Sequence, residues 1–334
     1  MSIDIRILDD EDEWDRYVDR SDGTNLFHRY AALDVQARYT DAELYPLAGF
    51  KGQEAVGVFP VFEIRKGPVS AAFSPPPEIR IPYLGPALLN VDKLKQRKRE
   101  RRQKRFVENC LDVIEEEIGP KYTHVRTDER FEDLRPFIWN DHDVTPTYTY
   151  VVDLDADEET IKARFSSDAR SNIRDGDDAD YAIEEGGYTA IEKIMEQVRS
   201  RYEAQDISFH LPTVLVADLF DRLPDGHVRP YALYVDGDFI GGILALDDGE
   251  RVYRWQGGVR TDADVDIATN DLLDWRVMAD ARERGRSYYD LVGADDPRIN
   301  RYKAKFGPEV ASYHSVEKGT PVVNKMARLY RQLR

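Results

Sequence analysis

The chain has 334 residues, of which 41% are hydrophobic, 11% aromatic and 33% charged, and its formal net charge is −17. This length and apolar content predict two folded domains, and the aromatic content excludes a globally disordered protein. The acids comprise 40 Asp and 24 Glu and the bases 34 Arg and 13 Lys, a composition that predicts adaptation to concentrated salt, so the charge describes the solvent and not a substrate.

Apolar periodicity in the first half predicts a strand, two helices, a group of strands, a long helix and two further strands. In chain order these segments are residues 3–8, 11–17, 30–37, 44–89, 91–118, 122–127 and 144–154. Gly119 and Pro120 are stop signals for the long helix. Its apolar face includes Cys110, the one cysteine, which we expect to be a buried structural thiol.

The second half is predicted to contain helices, then a three-stranded meander, then another helix and a strand. In chain order these segments are residues 158–165, 167–175, 191–203, 228–235, 239–246, 251–257, 270–284 and 287–292. The dipeptides Asp236-Gly237 and Asp248-Gly249 favour tight turns between the meander strands. Gly285 is a stop signal for the last helix.

The two halves align with each other in two places. AGFKGQEAVGVFPVFE matches ALYVDGDFIGGILALD without gaps, and this places Gly52 on Gly237. CLDVIEEEIGPKYTHV matches RVMADARERGRSYYDL, and this places Gly119 on Gly285. We interpret the chain as a duplication of one α+β unit, with domains at residues 1–150 and 151–334.

Several function classes lack their signatures. The sequence has no G-x-S-x-G, G-x-x-x-x-G-K-[ST] or G-x-G-x-x-G motif, which argues against a serine hydrolase, a P-loop enzyme and a Rossmann dehydrogenase. Six histidines without ligand spacing and a single cysteine predict no metal site. Apolar runs are too short for a membrane span and the first residues do not resemble a signal peptide, so we expect a cytoplasmic protein that is not integral to a membrane.

The ordered segments resemble the GNAT-fold acyltransferases with two tandem GNAT-like domains, a group that includes Fem-type aminoacyltransferases and their acetyltransferase-like relatives. The resemblance covers nearly the whole chain. In the first half it rests on EWDRYVDRSDGTNLFHRYAALDVQ, VGVFPVFEIRKG, IPYLGPAL and DLRPFIWNDHDVTPTYTYVVDL. In the second half it rests on SSDARSNIR, VDGDFIGGILAL, YRWQGGV, NDLLDWRVMADARERGRSYYDLVGAD and RYKAKFG.

This resemblance implies an α+β fold in which each domain is a mixed, mostly antiparallel sheet flanked by helices, with the acyl-transfer site in the second domain. It implies a splayed pair of strands that holds the carbonyl of an acyl donor. An amine on a sugar, a lipid-linked group or a peptide would attack that carbonyl, and backbone N–H groups would stabilise the oxyanion. No permanently bound cofactor is implied.

The implied donor is acetyl-CoA or another acyl-CoA, with one departure from the family pattern. Acetyl-CoA-using members carry a glycine-containing loop that opens a helix and binds the pyrophosphate. The corresponding stretch here, VRTDADVDIAT, has no glycine and three aspartates. Two alternatives therefore stay open: a Fem-like transfer from aminoacyl-tRNA, and a non-catalytic protein that binds a glycan or lipid carrier.

Three positions are candidates for catalysis. Asp290 is a carboxylate inside a predicted strand, which indicates either a paired or a catalytic group. Lys305 precedes Phe-Gly, as a lysine does in the family, and an ion pair is the alternative. His210 follows a predicted helix and would accept a proton from the attacking amine, with a plain surface histidine as the alternative.

Other positions are candidates for substrate binding. Arg170 and Arg174 lie four residues apart on one helix, so both guanidinium groups are predicted to bind a phosphate or carboxylate, or else to pair with neighbouring aspartates. The remaining candidates are Tyr202, Trp255, Gln256, Gly257, Asn270 and Lys303. The alternatives are a core position for Trp255, a helix cap for Asn270 and a surface ion pair for Lys303.

A basic run stands out in this acidic chain. Residues 93–105, KLKQRKRERRQKR, contain nine bases within 13 positions of the long helix. Such a run favours binding of tRNA phosphates, an anionic membrane surface or a polyanionic glycan. The alternative is a solvated face neutralised by acids from neighbouring elements.

Overall fold

The computed structural model describes residues 2–176, 179–260 and 265–320. The elements in chain order are β1 (Asp4–Ile7), α1 (Glu11–Val18), α2 (Tyr30–Thr40), β2 (Glu43–Lys51), β3 (Glu54–Lys66), β4 (Val69–Ser74), β5 (Ala87–Leu88), α3 (Gln96–Glu117), β6 (Tyr122–Thr127), α4 (Arg135–Ile138), β7 (Asp143–Asp153), α5 (Glu158–Ala163), α6 (Ser167–Gly176), β8 (Ala182–Glu185), α7 (Tyr188–Glu203), α8 (Thr213–Arg222), β9 (Val228–Val235), β10 (Asp238–Asp247), β11 (Arg251–Val259), α9 (Thr269–Glu283), β12 (Tyr288–Asp290), α10 (Pro297–Lys303) and β13 (Glu309–Gly319).

Contacts divide the chain into two compact units. Unit 2 comprises Tyr148–Ala311, and unit 1 comprises the residues before it together with the C-terminal segment from Ser312. The sequence analysis placed everything after residue 150 in the second domain. The difference lies in β13, which pairs antiparallel with β6 of unit 1 from His314 to Gly319.

Unit 1 contains a sheet in the order β1-β2-β3-β4-β6-β13. β4 and β6 run parallel, and the other neighbours are antiparallel. The turn between β2 and β3 contains Gly52 at φ 65°, a left-handed conformation that glycine adopts without strain. Apolar residues of α3, including Phe106 and the buried Cys110, pack on this sheet and form one core.

In unit 1, a later segment of the chain lies where β4 would continue if that strand were longer. Leu84 forms a parallel bridge with Thr127 of β6 and donates its N–H to the Arg126 carbonyl at 3.0 Å. A few residues later β5 pairs with β3. Residues 84–88 therefore lie between β3 and β6, beyond the last residue pair of β4.

Unit 2 repeats this topology in the order β8-β9-β10-β11-β12-β7. β11 and β12 are parallel and are connected through α9, as β4 and β6 are connected through α3. The core lies between the sheet and α9, around Leu273, Val277 and the fully buried Tyr289. The α+β fold with two similar units, predicted from the internal alignment, is confirmed.

Some predicted boundaries were wrong. α3 begins at Gln96, five residues after the predicted start, and β12 ends at Asp290 instead of residue 292. The sequence analysis did not predict β8, α4, α8, α10 or β13. In the part of the chain that the structure describes, no helix combines the length and the apolar character that a bilayer crossing requires.

Candidate functional site

The strands β11 and β12 separate at their carboxyl ends. They pair over only three positions, from Arg251 opposite Tyr288 to Tyr253 opposite Asp290, whereas β11 continues to Val259. Among the described residues, no strand takes the place of β12 beside the rest of β11. We call this opening the β11–β12 gap. Parallel strands that separate in this way expose main-chain hydrogen-bonding groups to a ligand.

A β-bulge accompanies the separation. Ala245 of β10 pairs with Arg254 and Leu244 pairs with Gln256, so Trp255 is the extra residue of β11. A bulge bends its strand and increases the local twist, which turns the last residues of β11 away from β12. Trp255 itself is only 4% exposed, so the structure gives it a core position.

Asp274 of α9 organises a buried polar cluster behind the gap. This carboxylate is fully buried and accepts hydrogen bonds from Arg254 Nε at 2.8 Å and from the hydroxyls of Tyr289 and Tyr302 at 2.5 Å each. Burial, and then the Asp274 charge, raise the pKa of both tyrosines, which keeps them as hydrogen-bond donors. The cluster therefore holds α9, β11, β12 and α10 in one arrangement.

Asp290 closes β12 from a fully buried position. Its Oδ1 accepts hydrogen bonds from Thr149 Oγ1 at 2.6 Å and from the Val292 N–H at 2.8 Å, and its Oδ2 lies 3.5 Å from Arg251 Nη1. Val292 is left-handed at φ 50°. The carboxylate thus fixes the turn that ends the strand. Of the two interpretations of Asp290, a paired group or a catalytic group, these contacts match the paired group.

Lys303 of α10 lies beside that turn. Its Nζ donates to the carbonyls of Val292 at 2.8 Å and Gly293 at 2.7 Å. Burial lowers the pKa of Lys303 to about 8; the Arg254 charge lowers it as well, and Asp290 partly compensates. An ammonium group has three N–H donors, so one N–H of Lys303 is available for another acceptor at the end of β12.

Lys305 forms a second charged cluster at the start of α9. Its Nζ lies 2.6 Å from Asp271 Oδ2, and the Asn172 amide of α6 donates to the same oxygen at 2.6 Å. Asp271 is almost fully buried. The structure thus brings Asp290, Lys303 and Lys305 to one end of unit 2, and it gives Lys305 the ion pair that was its alternative interpretation.

The arginines of α6 are exposed and bound locally. Arg170 Nη1 donates to the Phe165 carbonyl at 2.9 Å, and Arg174 lies 3.1 Å from Asp175 Oδ1. Asp177, a further predicted partner, lies outside the described residues. Arg174 thus forms the local ion pair that was the alternative interpretation, and Arg170 binds a main-chain carbonyl instead of an aspartate.

The start of α9 departs from the predicted cap. Ala268 occupies the N-cap position, and no side chain there accepts a hydrogen bond from the first turn. Within the described residues, the side-chain oxygens of Thr269 and Asn270 are buried without hydrogen-bond partners. The structure therefore does not support the capping role that was the alternative for Asn270, and its predicted role in substrate binding stays a prediction.

Gly257 is required by the approach of two strands. Its φ is 144°, and a Cβ at this position would lie 2.3 Å from the Gly242 carbonyl oxygen. The Arg201 guanidinium donates to the Gly257 carbonyl at 3.0 Å. Gln256, its predicted neighbour in the site, is half-buried near the bulge.

A groove runs along α7 to the carboxyl end of β11. Its volume is about 770 Å³, and it is lined by Glu192, Lys193, Glu196, Gln197, Ser200, Phe239 and Arg260. Gln197 donates from Nε2 to the Val259 carbonyl at 3.0 Å, whereas its buried Oε1 has no hydrogen-bond partner among the described residues. Tyr202 and His210 lie further along: Tyr202 stacks on Phe209 with centroids 5.0 Å apart, and His210 is exposed.

The sequence analysis missed Arg254, Asp274 and Gln197. A usable signal existed for two of them, because Arg254 lies between Tyr253 and Trp255 in a strand and Asp274 lies between Leu273 and Trp275 in a helix. Charged residues within apolar segments are the same signal that identified Asp290. Gln197 gave no such signal, since a polar residue on an amphipathic helix is ordinary.

Comparisons with known proteins agree with this geometry. Residues 163–304 match the family model described as an acetyltransferase (GNAT) domain. The structure of FemX is similar with a TM-score of 0.73 at 12% identity, covering 93% of this chain and 96% of that one. L-PGS from Bacillus licheniformis is similar with a TM-score of 0.58 at 10% identity, covering 97% of each chain.

A tandem GNAT protein from the clavulanic acid biosynthesis pathway is also similar, with a TM-score of 0.51 at 11% identity, covering 95% of this chain and 98% of that one. No curated protein matches the sequence significantly. At these identities the structural likeness shows the fold, and the family model adds the acetyltransferase domain. Residues 163–304 therefore match a GNAT acetyltransferase domain, and the chain as a whole has a fold similar to that of tandem GNAT proteins.

Proposed function

We propose that unit 2 transfers an acyl group from an acyl-CoA to the amine of an acceptor, with the thioester carbonyl in the β11–β12 gap. The separation of the two strands after Tyr253 and Asp290 is the observation that carries this proposal. Among the residues that the structure describes, the main-chain N–H groups of β11 beyond that point have no strand partner on the β12 side. Fixed N–H donors of this kind stabilise the oxyanion formed when an amine attacks a carbonyl.

The reaction needs no residue that bonds covalently to the substrate. The amine nitrogen attacks the thioester carbon, the oxyanion collapses, the C–S bond breaks, and CoA leaves as a thiol after it receives the proton lost by the amine. The remaining N–H of Lys303 is suited to bind an oxygen of the donor at the end of β12. Most of the acceleration would come from positioning.

The groove along α7 is suited to the acceptor. Glu192 and Glu196 place two carboxylates in the groove, where Lys193 and Arg260 balance their charge, and the Oε1 of Gln197 is a hydrogen-bond acceptor for an N–H group. Gln197 contacts the end of β11, so an amine bound there would approach the gap. This arrangement favours an amine on a sugar, lipid-linked or peptide acceptor, and an acyl-CoA donor suggests reaction in the cytoplasm.

Transfer from aminoacyl-tRNA is the second candidate. Two observations favour it: the stretch before α9 lacks the glycines of a pyrophosphate loop, and α3 carries the basic run. Two of the similar structures are named for FemX and for a lysylphosphatidylglycerol synthetase. An amine would still attack an acyl carbonyl in the gap, and the ester oxygen of the tRNA would leave in place of the thiol.

Release of free CoA tests the first candidate. The purified protein is incubated with acetyl-CoA and a panel of primary amines, and the new thiol is measured with a chromogenic disulfide. The single cysteine, Cys110, is fully buried, so the folded protein should contribute little background. Lys303→Met should lower the rate at least about tenfold, which corresponds to about 1.4 kcal/mol of lost transition-state stabilisation.

Lys162→Met is the matched control, because Lys162 belongs to unit 2 and its amine contacts Glu158 of α5 and the Trp275 ring, not the end of β12. The control variant should react at the unchanged rate. Thermal unfolding with acetyl-CoA and with charged tRNA identifies the donor, since a ligand of the folded state raises its stability. Stabilisation by charged tRNA but by no CoA compound would reject the first candidate in favour of the second.

A further inference from the structure

The amino-terminal half of α3 presents an exposed basic surface. Of the nine bases in residues 93–105, only Arg102 is buried, and it pairs with Glu54 at 2.8 Å. Lys104 lies 3.6 Å from Glu108. In the described part of unit 1, no ion pair is formed by five of the others: Lys93, Lys95, Arg97, Lys98 and Arg101. These five exposed bases therefore carry positive charge that no ion pair within the described residues neutralises.

Two large apolar side chains are exposed next to the basic surface. Ile138 and Trp139, at the end of α4, are 52% and 54% exposed. Phe137 before them is fully buried and anchors the segment. Trp139 lies between two cations, because Lys104 Nζ is 5.4 Å and Arg135 Cζ is 5.6 Å from its ring centroid. The basic surface and the apolar pair thus adjoin within unit 1.

We propose that unit 1 binds the surface of an anionic lipid bilayer through the basic half of α3 together with Ile138 and Trp139. Lysine and arginine near a bilayer attract its acidic head groups, and tryptophan favours the boundary between head groups and acyl chains. A single-stranded nucleic acid would also bind the lysine and arginine side chains through its phosphates and would stack a nucleobase on the indole ring. It would gain nothing from an exposed isoleucine, which a lipid surface buries.

The combination is suited to concentrated salt. At about 1 M salt the screening length is about 3 Å, so attraction between the basic face and a bilayer weakens steeply. Burial of Ile138 and Trp139 does not depend on that attraction and is not weakened by charge screening. The bases would select an anionic surface and the apolar pair would retain the protein on it. This proposal is independent of the reaction in unit 2.

Vesicle sedimentation tests the proposal. The protein is mixed with vesicles of phosphatidylcholine containing phosphatidylglycerol, or of phosphatidylcholine alone, in low salt and in molar KCl. We expect binding to the mixed vesicles only. The triple variant Lys95→Gln, Arg97→Gln, Arg101→Gln should weaken it about a hundredfold in low salt. Ile138→Ser with Trp139→Ser should abolish the binding that remains in molar KCl.

The matched control is Arg20→Gln, Lys66→Gln, Lys121→Gln, which removes three exposed bases of unit 1 outside α3 and should leave vesicle affinity nearly unchanged. Thermal unfolding verifies that each variant is folded. In the parent, tryptophan emission should shift to the blue on vesicle binding, and Trp139→Phe should remove that shift.

Three results would overturn the proposal: no binding to anionic vesicles, equal loss in the control triple, or loss of tRNA binding with vesicle binding unchanged in the α3 variant. The last result would assign the surface to nucleic acid.

Discussion

Burial shifts the pKa of several side chains in this protein, and His28 shows the consequence for stability in acid. This imidazole is fully buried, its Nδ1 accepts from the Asn25 N–H at 3.1 Å, and its Nε2 lies 3.1 Å from the Gly85 carbonyl. Burial lowers the pKa of His28 to about 4 from its usual value near 6.5. The folded state therefore keeps His28 neutral where the unfolded chain already binds a proton.

It follows that the free energy of unfolding falls as the pH drops from about 6.5 to about 4. A shift of this size corresponds to roughly 3 kcal/mol. His28→Gln, whose amide can make both hydrogen bonds, should flatten the acid limb in urea unfolding measured across this range. His142 has a similarly lowered pKa, so about half of the loss should remain. An unchanged acid limb in the variant would contradict the assignment.

The lowered pKa of Lys303 predicts a loss of activity at alkaline pH. If its protonated amine binds the acyl donor, kcat/KM should fall as the pH rises through about 8, the pKa to which burial lowers it. Lys303→Arg should keep a measurable rate without this fall, because a guanidinium stays charged. Rates are measured from pH 6 to 10. A rate that rises through pH 8 would instead make Lys303 a base.

At this scale the sequence identified Asp290, Lys303 and Lys305, because charges inside apolar segments and rare lysines are visible in one dimension. Their partners were not visible. Asp271 of α9 pairs with Lys305 and accepts a hydrogen bond from Asn172 of α6, and only the packing of these helices brings the three side chains together. Arg170 makes a local contact with the Phe165 carbonyl, and its predicted binding of a phosphate or carboxylate stays a prediction.

Among the elements, α9 contacts β11, β12 and α10 through the buried carboxylate of Asp274. Asp274→Ala would leave the Arg254 charge buried without its partner and would remove the acceptor of two tyrosine hydroxyls. Loss of one partner of a buried ion pair typically costs about 3 to 5 kcal/mol. We expect a decrease of this order in the free energy of unfolding, measured by urea denaturation.

Asp280→Ala provides the control on the same helix. Asp280 pairs with Arg276 one turn away on a more exposed face. Such surface pairs contribute less than about 1 kcal/mol. Equal losses in the two variants would show that the Asp274 cluster is not what fastens α9 to the sheet.

The elements themselves followed from the sequence where the local pattern was strong. The β9–β10 turn at Asp236-Gly237 and the end of α9 before Gly285 lie where turn and stop signals placed them. α8 was missed because Thr213, Val214 and Val216 are β-branched, and packing of its apolar face, not propensity, decides its helix. β12 ends early because Asp290 binds the Val292 N–H and turns the chain.

For the whole molecule, the net charge of −17 predicts a dependence of stability on salt. Raising KCl from about 0.1 M to about 1 M shortens the screening length from about 10 Å to about 3 Å and relieves repulsion among the acids. We expect the unfolding temperature to rise by roughly 5 °C, which corresponds to about 2 kcal/mol. Differential scanning calorimetry measures this shift.

Sucrose serves as the comparison, because it stabilises by exclusion without screening charge. The gain from KCl should therefore exceed the gain from sucrose at equal osmolality. A protein that sucrose stabilises and KCl does not would contradict the proposed adaptation to concentrated salt.

The two units share one topology but not one interior. In the described part of unit 2, no strand lies beside β11 after Tyr253, whereas in unit 1 the segment from Leu84 to Leu88 occupies the equivalent place and bonds to both neighbours. Unit 1 therefore has no opening that corresponds to the β11–β12 gap among its described residues. Each polypeptide should then bind a single equivalent of donor in calorimetric titration. Acyl transfer would belong to unit 2 alone, and unit 1 would be available for attachment to an anionic surface.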